Sequence, residues 1–156
     1  MAQIVLPPTR FLPNGKFTVF LAGSIEMGKA EEWQTEFCNK FQSYDINILN
    51  PRRNEWDSSW VQSIDNPVFK EQVEWELKGL DVSDLIIMYL QPATASPISM
   101  LELGLYAHSK KMIVCCPDGF WRKGNIDIVC EMYGITTCDN KDQLIQIATN
   151  IINRNA

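Results

Sequence analysis

The chain is short of the residues that most binding chemistries require. His108 is the only histidine in 156 residues, and no ligand-spaced partner accompanies it, so no zinc site is expected. None of the five cysteines stands in a CxxC pair, and their odd number does not suggest a disulfide framework; reduced, buried thiols are expected. Positive charge is scarce. A formal net charge of −5 leaves no basic stripe for a phosphate backbone, so a nucleic-acid polymer is not the expected partner. No apolar run approaches the roughly 20 residues of a membrane-spanning helix. The opening MAQIVLPPTRFLPNGK has neither the apolar core nor the cleavage site of a signal peptide. A cytoplasmic protein, without membrane attachment, is the expectation. There is also no GxGxxG and no P-loop: Gly28-Lys29 is not followed by Ser or Thr.

What is present is an ordinary globular balance, 46% hydrophobic and 21% charged, in a length that fits one domain spanning residues 1–156. β-Branched and apolar runs alternate with helical periodicity. KFTVFLAGS (Lys16–Ser24) reads as a strand, followed by a helix with Trp33, Phe37 and Phe41 on one face. INILNP is a short second strand, and a loop rich in Arg, Trp, Ser and Asp follows it. Asn66-Pro67 has the form of an N-cap and first helical position. DLIIMYL (Asp84–Leu90) is apolar enough for a central strand covered on both faces. A helix, the strand KMIVCCPD, a short helix over Ile126 to Met132, the weak strand GITTCD and a closing amphipathic helix complete the pattern. The expected fold is α/β: a flavodoxin- or Rossmann-like three-layer sandwich around a five-stranded parallel sheet. Ligands in such folds sit outside the carboxyl ends of the strands, which selects the loops Gly23–Gly28, Asn50–Asp65, Gln91–Ser99 and Asp118–Asp127.

SPISMLELG (Ser96–Gly104) places one carboxylate, Glu102, in an apolar helix start beside that crevice. Ser99-x-x-Glu102 matches a capping box, which would make the glutamate structural. Ser96 as N-cap with Pro97 at the first helical position would instead put Glu102 in the second turn. There an ionised carboxylate, favoured by the helix dipole, suits attack on an electron-poor carbon such as an anomeric centre. In the first loop Gly23, Ser24 and Gly28 allow close approach to an anion or sugar, or simply a tight turn. Asp84 begins its strand, at the wrong end of the sheet for a site, and reads as structural. Arg52, Arg53 and Trp56 lie at the right end, either shaping the pocket or forming a surface salt bridge and a packed Trp.

Taken together, FLAGSI, QVEWELKGLDVSDLIIMYLQP, SPISMLELG and KKMIVCCPDGFWRKGNIDIVCEMYGI resemble the nucleoside 2'-deoxyribosyltransferase superfamily, which includes the 2'-deoxynucleoside 5'-phosphate N-hydrolases. The resemblance runs from Phe17 to Ile135. It implies that Glu102 is a nucleophile forming a glycosyl ester at C1' of a deoxyribose. It implies that an acidic residue on the preceding helix, by position Glu76 where similar transferases have aspartate, manages the proton of the departing base. The plain alternative for Glu76 is a solvated side chain near Lys70 and Lys78. Ser96 falls where transferases carry a substrate-holding aspartate and where the phosphohydrolase branch has a phosphate-binding serine; a simple N-cap is the other reading. An asparagine contributed by a neighbouring subunit corresponds to Asn125 or Asp127. A homo-oligomer with shared sites follows from the resemblance, acting on 2'-deoxynucleosides and free bases without a cofactor. Cleavage of deoxynucleoside monophosphates is the alternative activity, and a non-catalytic nucleotide-binding module a further one.

Overall fold

The computed structural model describes residues 1–25, 31–53 and 59–156. Gly28 and Trp56 lie outside the described residues. The elements run β1 (Gln3–Val5), β2 (Thr18–Gly23), α1 (Trp33–Lys40), β3 (Asn47–Leu49), α2 (Pro67–Val82), β4 (Leu85–Tyr89), α3 (Pro97–Tyr106), β5 (Met112–Cys115), α4 (Lys123–Tyr133), β6 (Thr136–Cys138) and α5 (Lys141–Asn155).

The six strands among the described residues are all parallel, in the order β1-β3-β2-β4-β5-β6. The expected five strands are present in flavodoxin order, and the sixth is an addition. β1 pairs in parallel with β3 at the outer edge through three residues of QIVLPP. Three residues before a proline pair carry too little periodicity to announce a strand; the exposed edge of β3 makes it one. The helix expected over Ile126 to Met132 also starts earlier, at Lys123.

The two faces of the sheet divide the core. On one, α1 and α5 bring Trp33, Phe37, Phe41, Leu144 and Ile152 onto Val19, Leu21, Ile87 and Cys115. On the other, α2, α3 and α4 bring Trp75, Leu80, Leu103, Ile126 and Cys130 onto Phe20, Ile86, Met88 and Cys116. Successive residues of β2, β4 and β5 therefore serve opposite faces, which is why these strands are apolar throughout. Cys115 and Cys116 part company in this way, and all five cysteines are buried and unbridged.

The chain leaves β2 for β3 on one side and crosses back to β4 on the other. The switch in strand order thus lies between the carboxyl ends of β2 and β4. Gly23 permits this junction to close. With φ at +126°, a Cβ there would sit 2.1 Å from the Tyr89 carbonyl oxygen. At the opposite end, Asp84 accepts a hydrogen bond from the Thr18 N–H at 2.8 Å and pins the starts of β2 and β4, a structural role.

Candidate active site

α3 begins at Pro97, which puts Glu102 in its second turn and Ser99 inside the helix. Neither residue can form the capping box. Ser96 holds the N-cap position but does not cap: its backbone is left-handed (φ 45°) and its side chain turns elsewhere. Its Oγ lies 2.6 Å from Ser24 Oγ and 2.8 Å from Thr94 Oγ1, while Ser24 and Thr94 are 3.0 Å apart. Three hydroxyls from the loops after β2 and β4 meet at the switch point.

The cluster is anchored from the backbone. Gln91 N–H donates to Ser24 Oγ (2.8 Å), and Thr94 Oγ1 donates to the Gln91 carbonyl (2.8 Å). Ser24 N–H donates to the Tyr89 carbonyl, and the Ser24 carbonyl accepts from Trp33 Nε1 at 3.1 Å. These bonds hold Ser96 in a conformation that non-glycine residues seldom adopt. Thr94 and Gln91 were not singled out as individual residues from the sequence. Only their position in the Gln91–Ser99 loop marked them, because hydroxyl clusters depend on which loops meet.

On α3 the spacing of Ser99, Glu102 and Leu103 turns all three inward, and Glu102 is 7% exposed. Glu76, partly buried on α2, faces the same space. Burial raises Glu102 well above the ordinary carboxylate range, and the nearby charge of Glu76 raises it further. Glu76 is itself raised to about 7 by burial, against the opposing pull of a hydrogen bond from Gln72. Burial thus holds both carboxyls above the ordinary carboxylate range, and the charge of Glu76 adds to the effect on Glu102. Of the two lysines near Glu76 in sequence, Lys70 pairs with Glu74, at 3.6 Å.

The structure gathers Gly23, Ser24 and Ser96 at the switch point, and brings Glu76 near enough for its charge to act on Glu102. Asn125 and Asp127 lie on the exposed side of α4, where Asp127 pairs with Lys123 at 3.2 Å. Arg52 donates to the Glu31 carbonyl (2.8 Å), and Arg53 donates to Gln72 Oε1 (3.3 Å). His108 rests against the Tyr133 ring, and no cluster of metal-binding side chains occurs among the described residues.

A family profile described as nucleoside 2-deoxyribosyltransferase like matches residues 16–120, from the start of β2 through the turn after β5. The chain belongs to the nucleoside 2-deoxyribosyltransferase-like family. That stretch contains both glutamates and the whole hydroxyl cluster, and it brings with it glycosyl-transfer or hydrolytic chemistry on small nucleoside substrates. A solved structure, a conserved protein from Enterococcus faecalis V583, is similar over 85% of this chain and 96% of its own. The TM-score is 0.59 at 13% identity, a likeness of fold alone. A search of curated proteins finds no match. Within this family fold, no helix among the described residues is long and apolar enough to cross a membrane.

Proposed function

We propose that the protein is a nucleoside 2'-deoxyribosyltransferase that works through a covalent intermediate on Glu102. The observation that carries this reading is Glu102, buried on the inward face of α3, with the partly buried Glu76 of α2 close enough for its charge to act on it. The reaction uses the form with Glu102 ionised and Glu76 protonated. A Glu102 oxygen attacks C1' of the deoxynucleoside as the C1'–N bond breaks, and Glu76 gives its proton to the departing base. An incoming base then attacks C1', the ester bond to Glu102 breaks, and Glu76 takes the proton back. An acid that titrates near 7 is matched to this exchange at neutral pH, a contribution of about 10²–10⁴-fold in rate.

The hydroxyl cluster favours a nucleoside over a nucleotide. Ser24, Thr94 and Ser96 already bond to one another, and Thr94 to the Gln91 carbonyl, so a 5'-phosphate would have to break bonds already made.

A homo-oligomer is part of the same reading. α3 is inverted: Ser99 and Glu102 point inward, whereas Ile98, Leu101 and Leu105 are exposed. On α4, Ile128 and Met132 are likewise exposed, and Asn125 lies in line with them at helical spacing. Lys123 and Asp127 neutralise each other nearby, so two copies can meet there without like-charge repulsion. Asn125 is then the better placed of the two candidates to reach a neighbouring site.

The test is exchange. With deoxyinosine and free adenine, the protein should form deoxyadenosine, and Glu102→Ala should not. Free base and sugar phosphate from deoxyguanosine 5'-monophosphate, without exchange, would establish the hydrolase instead. Nucleoside binding without turnover of either substrate would leave a binding module.

A further inference from the structure

Among the described residues, the buried polar side chains hydrogen-bond to protein groups, with two exceptions. Gln72 Nε2, for instance, donates to the Pro51 carbonyl at 3.1 Å, and its Oε1 accepts from Arg53 Nη1 at 3.3 Å. Ser83 Oγ donates to the Leu80 carbonyl at 3.0 Å. The exceptions are Ser99 and Glu102, 5% and 7% exposed, whose side chains make no hydrogen bond among the described residues. They are neighbours, one helical turn apart on the inward face of α3. Ser99 is the nearer of the two to the helix start, so it lies between Glu102 and the Ser24–Thr94–Ser96 cluster. A serine inside a helix commonly settles its hydroxyl on the carbonyl four residues back. Here that carbonyl belongs to Ala95, and it accepts from Trp121 Nε1 at 2.9 Å instead.

We propose that Ser99 is a substrate-binding residue whose hydroxyl bonds to a hydroxyl of the deoxyribose that Glu102 attacks. The assignment rests on Glu102 being the nucleophile of the reading above. A buried hydroxyl with no partner destabilises the empty protein, because nothing replaces the water it gave up. A sugar hydroxyl, both donor and acceptor, lifts that burden only while substrate is bound. In a displacement at C1' the base departs on the side opposite the attacking carboxylate, so the group left beside α3 is the sugar. With C1' at Glu102, the 3'- and 5'-hydroxyls of the same ring fall within about a helical turn, roughly 5.4 Å, of that carboxyl, and Ser99 stands at that separation.

The test separates stability from binding. Without nucleoside, Ser99→Ala should melt about 2–4 °C above the unmutated protein, since an unmet hydroxyl is removed and alanine suits a helix better. Affinity is read by calorimetry in the Glu102→Gln background, which cannot form the ester, with deoxyinosine and its 3'-deoxy and 5'-deoxy analogues. Ser99→Ala should weaken deoxyinosine about tenfold. It should weaken one analogue equally and leave the other unchanged; the unchanged one lacks the hydroxyl that Ser99 holds. Equal losses for all three nucleosides, or no loss for any, would overturn the assignment, as would a lower melting point. Deoxyinosine that binds the unmutated protein without exchange would remove the transferase reading, while the affinity comparison still decided for Ser99. Failure of deoxyinosine to bind at all would overturn both.

Discussion

At the scale of single residues, the cost of the site is concentrated in Glu102. A carboxylate at 7% exposure with a second one nearby is held against its solvation preference, and its raised titration point measures that burden. The sign follows directly. The folded state binds these protons more tightly than the unfolded chain, so stability is fully present below the ordinary glutamate value of 4.5. It falls as pH rises through the folded titration, which for Glu76 is centred near 7. Glu102→Gln should therefore melt higher than the unmutated protein at pH 8, by about 3 °C or more, and the difference should close near pH 4. Thermal unfolding at the two pH values checks this. Equal melting points at pH 8 would mean that Glu102 carries no such burden.

At the scale of elements, α2 and α3 must be fixed against each other for Glu76 and Glu102 to meet. Lys111, at the foot of β5, does part of this. Its Nζ donates to the carbonyls of Leu80 (2.6 Å), Asp81 (3.0 Å) and Ser83 (2.9 Å), closing the end of α2 with a cation where the helix dipole is negative. Gly79 allows the same helix to lie on β2, since a Cβ there would come within 2.7 Å of the Phe20 ring. Lys111→Met should cost about 1–3 kcal/mol through the carbonyls it leaves unsatisfied. The melting point should drop by about 2–4 °C per kcal/mol, whereas Lys78→Met on the exposed face of α2 should change little. Comparable melting of the two variants would remove the capping role.

At the scale of the whole molecule, the exposed face of α3 and α4 sets the expectation. Gly104 lies within that face, and a Cβ there would meet nothing within 4 Å of the chain itself. An exposed glycine within a helix ordinarily costs up to about 1 kcal/mol relative to alanine. Its place beside Leu101 and Leu105 is explained if another backbone comes close. Light scattering should give at least twice 17.9 kDa for the unmutated protein. Gly104→Leu, which fits the isolated chain but not a close contact, should lower that mass while leaving the fold intact. An unmutated protein at 17.9 kDa would remove the shared-site expectation.

The sequence by itself determined the α/β class, the central strands and the helix that carries Glu102, because burial on both faces and helical spacing are local patterns of side chains. Asn66 as an N-cap was equally legible, and its side chain accepts the Val68 N–H at 3.2 Å. Glu102 was legible as a residue but not as a state: the capping box and the Ser96-Pro97 start were equally good local descriptions of one segment. Only the tertiary structure decided between them, because the choice depends on Ser24, 72 positions earlier, drawing Ser96 away from the helix end. The same holds for Gln72, whose partners Pro51 and Arg53 come from another loop, and for β1, which is a strand only because β3 offers an edge. Periodicity records what each residue must bury. Which groups then face one another depends on how the loops return, and that is fixed only when the sheet is assembled.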